Sequence, residues 1–158
     1  MKKILPKVFQ KKIDKKLNNN SCCISEILSV INILQKNADC NDSCLETCDR
    51  GFLGCGTSTL NCNTRPVVLY TAFGNGTPWT MPTTRENVIC GDEGVTCSNV
   101  FRVEKIDGCC ATFRVLTDNT DPTTSATIPY VATNSFFTMD LKCCCAIRCL
   151  PDTYIECI

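Results

Sequence analysis

Sixteen cysteines lie in a chain of 158 residues, and no histidine accompanies them. Cysteine at about one residue in ten is the composition of a disulfide or metal framework. The absence of imidazole removes the Ser-His-Asp and Cys-His nucleophile pairs and any histidine ligand to zinc. Zinc sites favour paired C-x2-C units or Cys/His sets. Here Cys40, Cys44 and Cys48 give C-x3-C-x3-C, Cys143 and Cys145 give C-x-C, and no C-x2-C occurs. A thiol-rich metal-binding protein is therefore the alternative reading, and neither a metal-ligand set nor a cofactor is assigned. No glycine-rich phosphate loop and no G-x-S-x-G is present. Asp121, Asp140 and Asp152 read as turn residues rather than an acid/base pair. Tyr70 and Trp79 read as core or rim aromatics. No catalytic residue is assigned, and the expectation is a protein that is not an enzyme.

The cysteines raise a question of compartment, because cytosolic thiols stay reduced. Lys2 and Lys3 could open a secretory signal, but Pro6 and Lys7 interrupt Ile4-Leu5 before an apolar centre forms. That disfavours a secreted disulfide scaffold. Residues 24–34 are the longest nearly apolar stretch, far short of the ~20 residues of a membrane span. The sulfurs are expected either to bind metal or to be oxidised once the cell that made them lyses.

Charge divides the chain. Residues 1–17 carry seven lysines against Asp14, while the whole chain has net charge zero. The division predicts a basic N-terminal arm over 1–20 and a cysteine-rich β domain with a leading helix over 21–158. The arm reads first as a solvated tail. The sharper reading is an arm that docks on the acidic body of a neighbouring copy, with Ile4, Leu5, Val8 and Phe9 as its anchor. One aromatic in the arm and an acidic body argue against a nucleic-acid partner.

Period and turn signals set the elements. Ile24, Ile27, Leu28, Ile31 and Leu34 form a helical stripe over 21–37, with Ser21 as N-cap and Lys36 in the last turn. Residues 38–64 read as a cysteine-rich loop. Strands are predicted over 67–72, 101–106, 111–117, 136–141 and 143–150, with turns at Gly74-Asn75-Gly76 and a polar loop over 118–127. The fold class is mainly β: an antiparallel sandwich- or barrel-like domain with one N-terminal amphipathic helix and a Cys-rich loop.

Burying Phe101 and Val103 with Ala111, Phe113 and Val115 fixes a register for one hairpin. A three-residue loop, Ile106-Asp107-Gly108, would pair Val103 with Ala111 and Phe101 with Phe113, with Gly108 left-handed. Cys109 would then point inward, Cys110 outward beside Glu104, and Arg102 to solvent. In the last strand, alternation would bury Leu141, Cys143, Cys145, Ile147 and Cys149 and expose Lys142, Cys144, Ala146 and Arg148. Thiols on opposite faces cannot all find partners within one domain, so some are expected to bond between chains, while for Cys143, Cys145 and Cys149 a core position or an internal disulfide is the first reading.

Three stretches together resemble a known family. They are Asn63-Thr64-Arg65-Pro66-Val67-Val68-Leu69-Tyr70-Thr71; Phe101-Arg102-Val103-Glu104 with Cys110-Ala111 and Arg114-Val115-Leu116; and Asp140-Leu141-x-Cys143-x-Cys145-Ala146-Ile147-x-Cys149-Leu150. In that order they resemble the spore coat and exosporium family of CotY, CotZ and ExsY from spore-forming bacilli. The resemblance runs over roughly residues 24–151. It implies a structural protein made in the mother-cell cytosol and laid on the outer spore surface, in the crust or the exosporium basal layer. It further implies self-assembly into an ordered layer cross-linked through cysteines, with other copies and other spore coat proteins as partners. The candidate cross-linking residues are Cys22, Cys23, Cys40, Cys44, Cys48, Cys109, Cys110, Cys143, Cys144, Cys145, Cys149 and Cys157.

Overall fold

The computed structural model describes residues 22–36 and 62–156. The basic arm, most of the cysteine-rich loop, and Cys40, Cys44, Cys48 and Cys157 lie outside the described residues.

Helix α1 (Cys23–Lys36) carries Glu26 in its first turn and Lys36 in its last, each complementing the helix dipole. Its buried face holds Ile24, Leu28 and Ile31, as the stripe predicts, together with Ser25, Asn32 and Gln35. Ile27 and Leu34 sit half-buried at the flanks. The face is rotated from the purely apolar stripe because two of its amides bond the sheet. Asn32 Nδ2 donates to the carbonyl of Glu104 at 3.0 Å, and Gln35 Nε2 to that of Val103 at 2.8 Å.

The strands are β1 (Val67–Thr71), β2 (Met81–Pro82), β3 (Cys97–Ser98), β4 (Val100–Asp107), β5 (Cys110–Asp118), β6 (Tyr130–Asp140) and β7 (Cys144–Cys149). Five form an antiparallel sheet in the order β6-β5-β4-β1-β7, and β2 pairs with β3. The mainly β, antiparallel architecture matches the sequence expectation. The outermost strands of the sheet do not pair with one another, so no barrel closes.

Helix α1 covers one face of the sheet. There Ile24, Leu28 and Ile31 pack with Val67, Leu69, Phe101, Val103, Ala111, Phe113 and Val115 in one apolar cluster. Phe137 meets Phe101 edge-on at 4.9 Å between centroids and stacks on Phe113 at 5.2 Å, geometries in which aromatic pairs attract beyond their area. A smaller cluster of Val100, Leu116 and Ile155 is closed by the chain beyond β7.

The β4–β5 hairpin departs from its expected register. Its turn has two residues, Gly108 and Cys109, with Asp107 opposite Cys110. Gly108 has φ +58°, which suits the first central position of a type II′ turn. Phe101 pairs with Val115 and Val103 with Phe113, two residues from the expected partners. A β-bulge between Val103 and Lys105 corrects the side-chain parity, the task assigned above to a longer loop. All five apolar residues are buried, as expected.

Arg102 is also buried, at 8% exposure, contrary to the solvent position expected for it. The segment before β1 covers its face. Arg102 Nε donates to Thr64 Oγ1 at 3.0 Å and Nη1 to Glu104 at 2.7 Å. Glu104 also accepts from Arg114 Nε at 2.7 Å, so one carboxylate separates two cross-strand guanidiniums. Burial pushes the Arg102 pKa down, and the Glu104 charge opposes that shift.

The last strand departs as well. Leu141–Cys143 forms a 3₁₀ turn, capped by Asp140 accepting from the Lys142 amide at 3.0 Å. Three residues per turn reset the alternation expected of a continuous strand. Leu141 stays buried, but Cys143 and Cys145 are exposed and Cys144 is buried, the reverse of the expectation for all three thiols. A register shift between Tyr70 and Thr71 places Ala146 opposite Tyr70 and Cys144 opposite Thr71, leaving Cys145 without a cross-strand position.

Candidate functional site: a thiol-lined end of the sheet

Three backbone features meet at one end of the sheet: the start of α1, the β4–β5 turn, and the 3₁₀ turn leading into β7. The Leu141 amide donates to the Cys109 carbonyl at 2.7 Å, joining the two turns. Ser25 Oγ donates to the Gly108 carbonyl, while the Ser25 amide donates to the Cys22 carbonyl at 2.9 Å. Ser25 thereby holds the helix start against the hairpin. The Ala72 amide donates to the Cys143 carbonyl at 3.4 Å and brings the end of β1 to the same place.

Seven cysteines collect there as thiols: Cys22, Cys23, Cys109, Cys110, Cys143, Cys144 and Cys145. Cys23, Cys110, Cys143 and Cys145 are exposed, Cys22 and Cys109 are half-buried, and Cys144 is buried. The outward position of Cys110 agrees with expectation, although its neighbours are Asp107 and Asp140 rather than Glu104. Cys109 occupies the turn instead of the sheet interior.

The thiols differ in their surroundings. Cys144 Sγ donates to the Ala146 carbonyl at 3.2 Å, and Cys145 Sγ to that of Tyr70 at 3.4 Å. Desolvation pushes the Cys22 pKa up, and the interaction with Cys109 adds to that. Burial pushes the Cys144 thiol up as well. Both shifts favour the thiol over the thiolate, the form that attacks in thiol–disulfide exchange, and so slow these two sulfurs without removing them from it.

The other described cysteines are already oxidised and lie away from this end. Cys90 and Cys97 are bonded to each other, and Cys62 and Cys149 are each disulfide-bonded. Strand β7 runs from Cys144 at the thiol end to Cys149 at the far end, where Val67 opens β1. Cys97 lies just before β4, at the end of that strand remote from its turn. Of the twelve candidate cross-linking residues, seven therefore meet at one end, Cys149 is engaged elsewhere, and four lie outside the described residues. The Cys90–Cys97 bridge was not anticipated. Gly91 and Gly94 between the two cysteines, with φ of +111° and +79°, are the turn signal that could have indicated it.

Among the described residues, no three Cys, Asp or Glu side chains are grouped so as to hold a metal ion. No described helix is long and apolar enough to cross a membrane. The fold and this end together describe a cysteine-rich, mainly β module. A family model described as spore coat protein Z matches residues 12–152, and the chain belongs to that family. Its role is structural, in the spore coat. No curated protein matches the chain, and no solved structure matches it.

Proposed function

We propose that this protein is a unit of a self-assembling two-dimensional layer on the outer spore surface, cross-linked by disulfides between chains. The observation that carries the reading is the exposure of Cys23, Cys110, Cys143 and Cys145 at one end of the sheet. Sulfurs held outward on a folded end are placed to exchange with those of a neighbour. Synthesis in the mother-cell cytosol would keep them reduced until lysis, when oxidation locks an assembled layer in the crust or the exosporium base. The partners are further copies of the chain and other spore coat proteins. The arm over residues 1–20 docks on the acidic body of a neighbour, an attraction that salt weakens over a Debye length of ~8–10 Å.

Electron microscopy of the recombinant protein tests the layer, with ordered sheets as the expected result. Non-reducing gels of the same sample should show high-mass species that collapse to monomer with a thiol reductant. Replacing all four exposed cysteines by serine should remove most of that covalent material. A clean monomer on the gel, from oxidised sheets, would refute the cross-links while leaving the layer standing. Deleting residues 1–20 should raise the concentration needed for assembly, and unchanged assembly would reduce the arm to a tail.

A further inference from the structure

The thiol end does not offer seven equivalent sulfurs. Cys22 and Cys109 come from segments far apart in sequence, yet Ser25, whose amide bonds the Cys22 carbonyl, also bonds the carbonyl of Gly108 next to Cys109, and the two thiols interact. Backbone contacts fix both carriers, since the Leu141 amide holds the Cys109 carbonyl. Both residues are half-buried, less open to a second protein than Cys23, Cys110, Cys143 and Cys145.

Among the described cysteines, the rival partners fit less well. Cys23 follows Cys22 directly, and Cys110 follows Cys109, and a bond between adjacent residues strains the planar trans peptide that joins them. Cys144 lies near enough to Cys22 to interact electrostatically, but its sulfur is directed to the Ala146 carbonyl of its own strand.

We propose that Cys22 and Cys109 form a latent intrachain disulfide, which on oxidation staples the start of α1 to the β4–β5 turn and withdraws both sulfurs from bonding between chains. The oxidant is a low-molecular-weight disulfide. One cysteine, as thiolate, attacks a sulfur of that disulfide, giving a mixed disulfide and releasing one small thiol. The second thiolate attacks the protein sulfur of the mixed disulfide, forming the Cys22–Cys109 bond and releasing the second small thiol. The protein sulfurs lose two electrons, the small disulfide gains them, and the two protons end on the released thiols. The proposal stands apart from layer formation, since it is a reaction of a single chain.

The test uses the full-length protein at low concentration, exposed to oxidised glutathione, capped with N-ethylmaleimide, digested and mapped by tandem mass spectrometry. Cys23→Ser and Cys110→Ser variants remove the ambiguity of adjacent cysteines. The expected result is a Cys22–Cys109 linked peptide in the monomer fraction and a melting temperature about 10 °C above that of the reduced protein. Cys109→Ser should abolish both. A mixture of ¹⁴N- and ¹⁵N-labelled protein should give no hybrid linked peptide. Maleimide on both cysteines after oxidation, a Cys22–Cys144 linkage, or hybrid peptides would each overturn the assignment. If Cys109→Ser fails to fold, the peptide map of the unmutated chain still decides.

Discussion

Gln35 Nε2 donates to the carbonyl of Val103 at 2.8 Å across the interface between helix and sheet. The same amide accepts the Arg65 backbone N–H through Oε1 at 3.2 Å, so one side chain links α1, β4 and the entry to β1. Asn32 supports it one turn earlier, donating to the Glu104 carbonyl. Both meet β4 where its bulge interrupts the regular ladder. The bulge that corrects the hairpin's parity is thus also where the helix is fastened.

Gln35→Leu should keep much of the volume and lose both hydrogen bonds. Leaving the Val103 carbonyl and the Arg65 amide buried without this partner is expected to cost about 2–4 kcal/mol. Urea unfolding of reduced protein measures it. Val30→Ala, on the outer side of the same helix, should change stability by less than ~1 kcal/mol.

Asp152 accepts from Arg65 Nε at 2.8 Å and from Nη2 at 3.0 Å, with side-chain exposures of 2% and 3%. A bidentate pair so buried is costly to break from one side. Asp152→Ala should destabilise by about 3–5 kcal/mol, whereas the double variant Arg65→Met/Asp152→Leu should lose less than the single one. Melting temperatures of the two variants, compared under reducing conditions, check the order.

Val103→Asp and Phe113→Asp each place a charge inside the apolar cluster and should give insoluble or unfolded protein. Arg102→Ser should fold, but with a loss of about 1–3 kcal/mol, because Glu104 would keep Arg114 alone and Thr64 would lose its donor. Soluble Val103→Asp with an unchanged melting temperature would contradict the observed register.

Cys144, Cys22 and Tyr130 all have pKa values pushed above their ordinary ones, in each case chiefly by desolvation. An acid whose folded pKa is raised holds its proton better in the folded state. Its contribution is full below the unfolded value and declines as pH rises toward the folded one. The ordinary values are 9.0 for the thiols and 10.0 for the phenol. Stability of the reduced protein should therefore fall as pH rises above about 9. Thermal melts at a series of alkaline pH values should show that decline weakened in Cys144→Ala.

The helix and the buried strand faces were legible in the sequence because each follows a period that burial enforces. The register was not, since a bulge at Glu104 leaves no mark in the hydrophobic pattern and changes parity as effectively as an extra loop residue. Asp140 belongs to a residue type that caps turns, but nothing local distinguishes a cap for a 3₁₀ turn from the end of a strand. That small difference reversed the faces of Cys143, Cys144 and Cys145. Arg65 and Asp152 could not be paired by spacing because they meet only after β1 and β7 align. The collection of thiols follows from topology: the cysteines are scattered in sequence, and chain reversals bring positions 22, 109 and 144 to one end.

The separation of described thiols from described disulfides gives the sheet a direction. Among the described residues, sulfurs at one end are paired and those at the other are left for a later oxidant. Covalent bonds made through the described thiols can gather neighbours around their reactive ends, but cannot run through a molecule and out at its spent end. As far as the described thiols go, linking such clusters into a continuous layer would fall to contacts that no reductant cleaves. Thiol treatment would then loosen the material locally while leaving its long-range order in place.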